Sequence, residues 1–234
     1  MVNRRVFSVS GLGVVVAGLS GCSGSAFIPD IMAAPNVPTR KLTRTISRPD
    51  YTAVYGEYPG ERFAISAFDS QQTDPVFLRQ SVEFLRPEAP GSIVVDPASK
   101  HLYYVESPGV ATRYGVGVGK EGFLWAGEAR IQLKRDWPDW IPPAEMVQRS
   151  PEIREKLERT SRGMGVPGGP RSPLGARAMY LWGGGKDLGY RIHGTTEPET
   201  IGTNVSSGCI RMVNQDISHL YAHVSIGTPV TVLG

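Results

Sequence analysis

Cysteine is nearly absent: Cys22 and Cys209 are the only two in 234 residues. A small domain stapled by disulfides is thereby excluded. Acid is missing between Asp30 and Asp50, a stretch that carries Arg40, Lys41, Arg44 and Arg48. A strong charge of either sign is missing from the whole chain, whose formal net charge is +3. The basic residues are scattered and no nucleic-acid-reading motif occurs, so no nucleic-acid partner is expected. The apolar run from Val6 to Ser20 is too short to span a bilayer comfortably. There is no internal repeat and no low-complexity tract.

What is abundant is glycine, with 28 residues, and proline, with 19. Both favour strands, turns and loops over long helices. The length suffices to bury one sizeable core with appendages. Arg4 and Arg5 precede the apolar run and small residues follow it, the pattern of a secretory signal with a loose twin-arginine character. Two readings stand for its end. Leu19-Ser20-Gly21-Cys22 is similar to a lipoprotein box, in which Cys22 is acylated. Ordinary cleavage after Gly24-Ser25-Ala26 leaves a soluble exported protein. On either reading Cys209 is the sole cysteine of the mature domain. It is then a reactive thiol or a small buried hydrophobe.

The chain divides into a signal segment (residues 1–22), an extended basic tether (23–60), an arm that packs on the domain (61–90) and a compact domain (91–234). In the arm, Asp74 to Arg79 predicts a short helical turn. In the domain, Ile93-Val94-Val95 and Leu102-Tyr103-Tyr104-Val105 predict a hairpin, and Ala178–Trp182 with Leu188–Ile192 predict a second one across Gly183–Asp187. That second hairpin delivers His193 at a strand end. Phe123–Ala126 and Ala129–Leu133 read as further strands. Ser150 followed by Pro151 predicts a helix start, with Ile153 and Leu157 on one face. Asn214 predicts another helix cap, with Ile217, Leu220, Tyr221 and Val224 on one apolar face.

Three patterns are decoys or stay open. Gly117, Gly119 and Gly122 spell the dinucleotide fingerprint, but strand-like residues follow where a helix is needed. His219 and His223 are spaced like half a metal site, and no third ligand is evident, so no metal is expected. Trp137 and Trp140, in a stiff segment before a glycine-rich stretch, line a substrate groove or seal the core.

His193-Gly194-Thr195, then Ser206-Ser207-Gly208-Cys209-Ile210-Arg211-Met212 and Asn214, carry the chemistry. A thiol is mostly protonated at neutral pH and needs a neighbouring base. Glycine before the cysteine lets a carbonyl approach bare N–H groups. These residues resemble the signature of the L,D-transpeptidase catalytic domain (YkuD-type), with Ser207 where many members have histidine. Tyr114-Gly115-Val116-Gly117 and Ser172–Arg177 are similar to its upstream blocks. The resemblance covers roughly residues 91–233.

The resemblance implies a mainly β, sandwich-like domain with a short helical insertion and a helix after the catalytic cysteine. It implies that Cys209 attacks the bond between the diamino acid and terminal D-Ala of a peptidoglycan tetrapeptide stem. His193 is the implied base, the Gly194 carbonyl orients it, and the N–H groups of Ser207, Gly208 and Cys209 form the oxyanion hole. The acyl acceptor is an amine of another stem, an amine of an outer-membrane protein, or water. Arg211 pairs with a stem carboxylate or holds its loop; Tyr180, Trp137 and Trp140 are candidates for the stem groove. No cofactor is implied. The expected location is the periplasm, with a membrane anchor if Cys22 is acylated. The alternatives are a sortase-like or other Cys-His peptidase, and a lipoprotein that binds peptidoglycan without turnover.

Overall fold

The computed structural model describes residues 44–120, 125–206 and 208–234. The signal segment, Cys22, most of the tether, Phe123-Leu124 and Ser207 lie outside the described residues. The strands are β1 (Thr45–Ser47), β2 (Gln80–Phe84), β3 (Ile93–Asp96), β4 (His101–Ser107), β5 (Gly109–Gly115), β6 (Val118–Gly119) and β7 (Gly127–Asp136). They continue with β8 (Glu158–Thr160), β9 (Gly163–Gly165), β10 (Arg177–Gly183), β11 (Lys186–His193), β12 (Asn204–Ser206), β13 (Ile210–Arg211) and β14 (Pro229–Val232). The α-helices are α1 (Tyr51–Val54), α2 (Ala144–Arg149) and α3 (Asn214–His223).

Ten strands form one sheet in the order β1-β2-β5-β4-β3-β14-β7-β10-β11-β13. Both hairpins expected from short β-rich runs around turns are present, as β3–β4 and β10–β11. In the second, Gly184 and Gly185 hold φ of 57° and 77°. That is the twist a two-residue hairpin turn needs and side chains resist. Two neighbours are parallel, β3 with β14 and β11 with β13.

Alternation sorts the apolar residues onto two faces. Ile93, Val95 and Leu102 join Ile131, Met179, Leu181, Ile192 and Met212 in the main core, which Ile217, Leu220 and Val224 of α3 close. Val82, Phe84, Val94, Tyr103 and Ala111 fill the other face. The mainly β, sandwich-like class expected from the resemblance therefore holds, with small helices and one helix after Cys209.

Three local expectations need correction. Residues 44–60 do not run as a solvated tether: β1 pairs with β2, and Tyr55 is buried with its hydroxyl donating to Asp216 Oδ2 at 3.0 Å. The helix near Ser150 starts earlier, as α2, and Pro151–Lys156 wind as a 3-10 helix with no side-chain cap from Ser150. Pro151 has no N–H to continue the α-helical ladder. Asn214 is not a cap either: the N-cap of α3 is Val213, and no side chain caps it.

Residues 56–66 are fixed to α3 and β10 by polar side chains. Gln215 Nε2 donates to the carbonyls of Gly56 at 3.2 Å and Ser66 at 2.8 Å. Arg177 Nη2 donates to Glu61 Oε1 at 2.6 Å. Asp216 is fully buried, and burial pushes its carboxyl up to about 7, since Arg79 at 3.7 Å is too distant to offset the desolvation.

Stability should therefore rise between about pH 4 and 6.5. Burial pushes His101, His193 and His219 each down to about 4. Over that window the unfolded chain binds protons at these three sites and the folded chain does not, so folding is favoured as pH rises. Asp216 acts in the opposite direction, because the folded state keeps a proton that the unfolded chain sheds. Three groups outweigh one. Thermal unfolding should give a higher Tm at pH 6.5 than at 4.5, with a steeper rise in Asp216→Asn. A flat or falling profile in the wild type contradicts it.

Candidate active site

The parallel pair β11–β13 assembles the site. Its register sets Ile192 beside Ile210 and His193 beside Arg211. One residue earlier, Cys209 falls level with Arg191, whose backbone hydrogen-bonds the cysteine. Residues level on adjacent strands share a face. Cys209, Arg211, Arg191 and His193 thus lie on one side of the sheet. Among the described residues Cys209 is the only cysteine and is in no disulfide.

His193 and Cys209 line one cleft of about 580 Å³. The imidazole is buried, and its Nδ1 lies 2.5 Å from the Gly194 carbonyl oxygen. A carbonyl only accepts, so Nδ1 carries the proton and neutral Nε2 keeps its lone pair. Burial, with the charges of Arg211 and Arg191 adding to it, holds His193 down at about 4 against that hydrogen bond. The ring is therefore neutral at physiological pH. Burial also pushes the Cys209 thiol up, although the Arg191 backbone bond and the Arg191 and Arg211 charges pull it down. The resting pair is thiol and imidazole, not thiolate and imidazolium. Such a pair works by proton removal during attack.

The loop carrying Gly194 is held by Asn214. Its Oδ1 accepts from Ala176 N–H at 3.0 Å and its Nδ2 donates to the Thr195 carbonyl at 2.9 Å. A Cβ on either Gly175 or Gly194 would fall on Asn214 Oδ1. The strand end is pinned too, with Met212 N–H donating to the His193 carbonyl at 2.8 Å. Gly208, just before the cysteine, has φ of 112°, a conformation open to glycine. Arg211 Nη1 donates to Glu197 Oε2 at 2.8 Å, tying β13 to the loop after His193. The cleft is walled by Trp140, Ile153 and Leu174, and its charges are mixed, with Lys156, Arg171 and Arg211 against Glu155, Glu158 and Glu197.

The family model described as the L,D-transpeptidase catalytic domain (YkuD) matches residues 90–232. The chain belongs to this family. "Probable L,D-transpeptidase ErfK/SrfK" of Salmonella typhimurium is 35% identical over 146 residues, 60% of this chain and 43% of that protein. "Putative L,D-transpeptidase YqjB" of Bacillus subtilis is 44% identical over 143 residues, 60% of this chain and 69% of that protein. A crystal structure from Brucella melitensis, described as a probable carnitine operon oxidoreductase, is 47% identical. It covers 70% of this chain and 99% of its own, with a TM-score of 0.46. The chain spans less than half the length of the Salmonella relative.

Of the signature residues, His193, Thr195, Cys209 and Arg211 line the cleft together, and the groove candidates separate. Trp140 lines it. Trp137 does not: it is buried against Phe63, ring centroids 5.3 Å apart, and lines a second cavity. Tyr180 is buried beside the site, with the Arg191 guanidinium 4.2 Å from its ring centroid and its hydroxyl accepting from Arg162 at 3.2 Å. Arg191 and Glu197 went unnoticed in the sequence. Arg191 was findable, because it sits two before His193 and so on the same strand face. Glu197 was not, since its pairing with Arg211 spans a loop. Ser207 lies outside the described residues. The His219 and His223 rings lie tilted with centroids 4.4 Å apart, and His219 Nδ1 meets the Tyr114 hydroxyl at 2.8 Å.

Proposed function

We propose that the chain is a peptidoglycan L,D-transpeptidase with Cys209 as nucleophile. The observation that carries this is the His193 tautomer: Nδ1–H held by the Gly194 carbonyl leaves Nε2 as a base in the cleft that Cys209 lines. Nε2 takes the thiol proton as sulfur attacks the carbonyl carbon of the diamino acid–D-Ala bond. The N–H groups of Ser207, Gly208 and Cys209 receive the oxyanion. The C–N bond then breaks, His193 returns the proton to the departing amine, and a thioester remains. An acceptor amine or water attacks it, and the sulfur leaves as thiol. The ion pair of Arg211 with Glu197 supports the loop-holding role for that guanidinium.

The test is the purified protein with tetrapeptide muropeptides, products read by mass spectrometry. Loss of the terminal D-Ala is expected; intact tetrapeptide after prolonged incubation sinks the reading. Asn214 acts through Gly194, so Asn214→Ala should lower kcat for D-Ala release about ten- to a hundredfold while KM moves little. Steady-state kinetics on the variant check this, and an unchanged kcat removes Asn214 from the account.

The proposal extends to location. The chain is read as exported and anchored through acylated Cys22, supported by the sequence of residues 4–26 alone. No helix among the described residues is long and apolar enough to cross a membrane. Cys22→Ser should move the protein from the membrane fraction to the soluble one; unchanged fractionation ends the anchoring reading.

A further inference from the structure

The sheet carries an open groove of about 620 Å³ that shares no lining residue with the catalytic cleft. Its floor is Glu128, Arg130 and Gln132 of β7, Thr231 of β14 and Trp182 of β10. Register puts this groove on the face that holds Cys209. Tyr180 and Trp182 alternate along β10 with Met179 and Leu181, which belong to the main core. Tyr180 is level with Arg191, and Arg191 with Cys209. Trp182 is level with Arg130, and Glu128 with Thr231. One face therefore runs from the nucleophile past Tyr180 to Trp182 and on across β7 to β14.

The side chains there match an uncharged sugar. Trp182 is partly exposed, and its ring meets no other aromatic ring or cation among the described residues. Such an indole presents an apolar plate with a polar edge, a surface that the C–H face of a pyranose can cover. Beside it Glu128 and Gln132 are exposed, and neither side chain makes a hydrogen bond or ion pair among the described residues. Arg130 gives one guanidinium nitrogen to the Gly227 carbonyl at 3.0 Å. Donors and acceptors thus flank the plate, within reach of hydroxyl and acetamido groups. One carboxylate and one guanidinium leave the groove without net charge, which disfavours a polyanion. Ile141, Met164 and the other large aliphatic side chains exposed on the surface lie outside it, which disfavours a protein partner.

We propose that this groove seats the glycan strand to which the donor stem is attached. The inference rests on the transpeptidase reading above and goes further by giving the polymer, not only its peptide, a place on the protein. Distance selects this occupant. Cys209 and Trp182 are two strand spacings apart across the sheet and two residues apart along it, about 12 Å in all. Three stem residues separate the sugar from the carbonyl that Cys209 attacks, and extended they reach about 10 Å. With that carbonyl at the sulfur, the first stem residue lies beside Trp182 and its sugar lies on the indole. The strand then continues over β7 and β14. No bond forms or breaks in the groove. It holds the polymer so that stems still attached to the wall meet Cys209 at a raised effective concentration. A stem already cut from its glycan loses this contact.

The test uses the full chain with two donors: a free tetrapeptide stem, and the same stem on a strand of several disaccharides. The readout is the ratio of kcat/KM for D-Ala release, glycan-linked over free. Trp182→Ala should lower this ratio about tenfold, and Gln132→Ala, a change at an exposed position, about threefold. Calorimetry with a strand stripped of its stems reads the groove without turnover. The wild type should bind the strand, and Trp182→Ala should bind it about tenfold more weakly. An unchanged ratio in both variants overturns the proposal. So does an equal loss with both donors, because Trp182 would then serve the fold alone. A groove that ignores the stripped strand but holds a second copy of the chain, seen as a dimer that Trp182→Ala dissociates, overturns it too. Absence of D-Ala release from a wild type that binds the stripped strand overturns instead the reading on which the proposal rests.

Discussion

Cys209→Ala is expected to reduce D-Ala release from tetrapeptide stems to background, a loss on the order of 10⁴-fold or more. No other thiol exists among the described residues. The substitution removes one sulfur atom and inserts nothing, so the fold should survive. Circular dichroism and Tm within a few degrees of wild type would show this. The assay is end-point mass spectrometry of the muropeptides. Retention of even a tenth of the wild-type rate would mean that another group attacks.

His193→Gln is the second large effect. Glutamine fills much of the volume and offers a donor to the Gly194 carbonyl, but it is no base. Removing a general base costs about 10²- to 10⁴-fold, and stopped-time assays of D-Ala release should find a loss in that range. The protonation states give a companion signature in the wild type. His193 stays neutral down to about 4 and the Cys209 thiol is pushed up by burial. D-Ala release should then be nearly flat between about pH 5 and 8.5, while alkylation of Cys209, which needs thiolate, climbs about tenfold per pH unit. A preformed thiolate–imidazolium pair would instead show alkylation already saturated near pH 6. The two curves, measured on one preparation, separate the mechanisms.

The sequence made some features of this site visible and hid others, for physical reasons. Short-range patterns were legible. The β-rich runs flanking Gly184-Gly185 meet at a two-residue glycine turn, so the hairpin and the strand-end position of His193 followed directly. The apolar spacing Ile217, Leu220, Val224 fixed α3 in the same way. Long-range placement was not legible. Nothing local says that β13 lies parallel to β11 with Cys209 level with Arg191, because that pairing closes through the intervening loop. Asn214 looked like a cap because its type and position suit one; the structure uses its amide to clamp Ala176 and Thr195 instead. The basic, proline-rich run before Gly60 looked solvated, yet Tyr55 reaches 161 residues along the chain to Asp216. Trp137 and Trp140 were equivalent in sequence, and three residues of separation sent them to different cavities.

The central claim is that Cys209 becomes acylated by the stem, and the acyl-enzyme can be observed directly. Wild-type protein mixed with a tetrapeptide donor, quenched in acid within the first turnovers and digested, should yield the Cys209 peptide carrying the stem without its terminal D-Ala. The adduct should be released by hydroxylamine, as a thioester is. D-Ala release with an unmodified Cys209 peptide at every quench time, together with undiminished release by Cys209→Ala, would contradict the account.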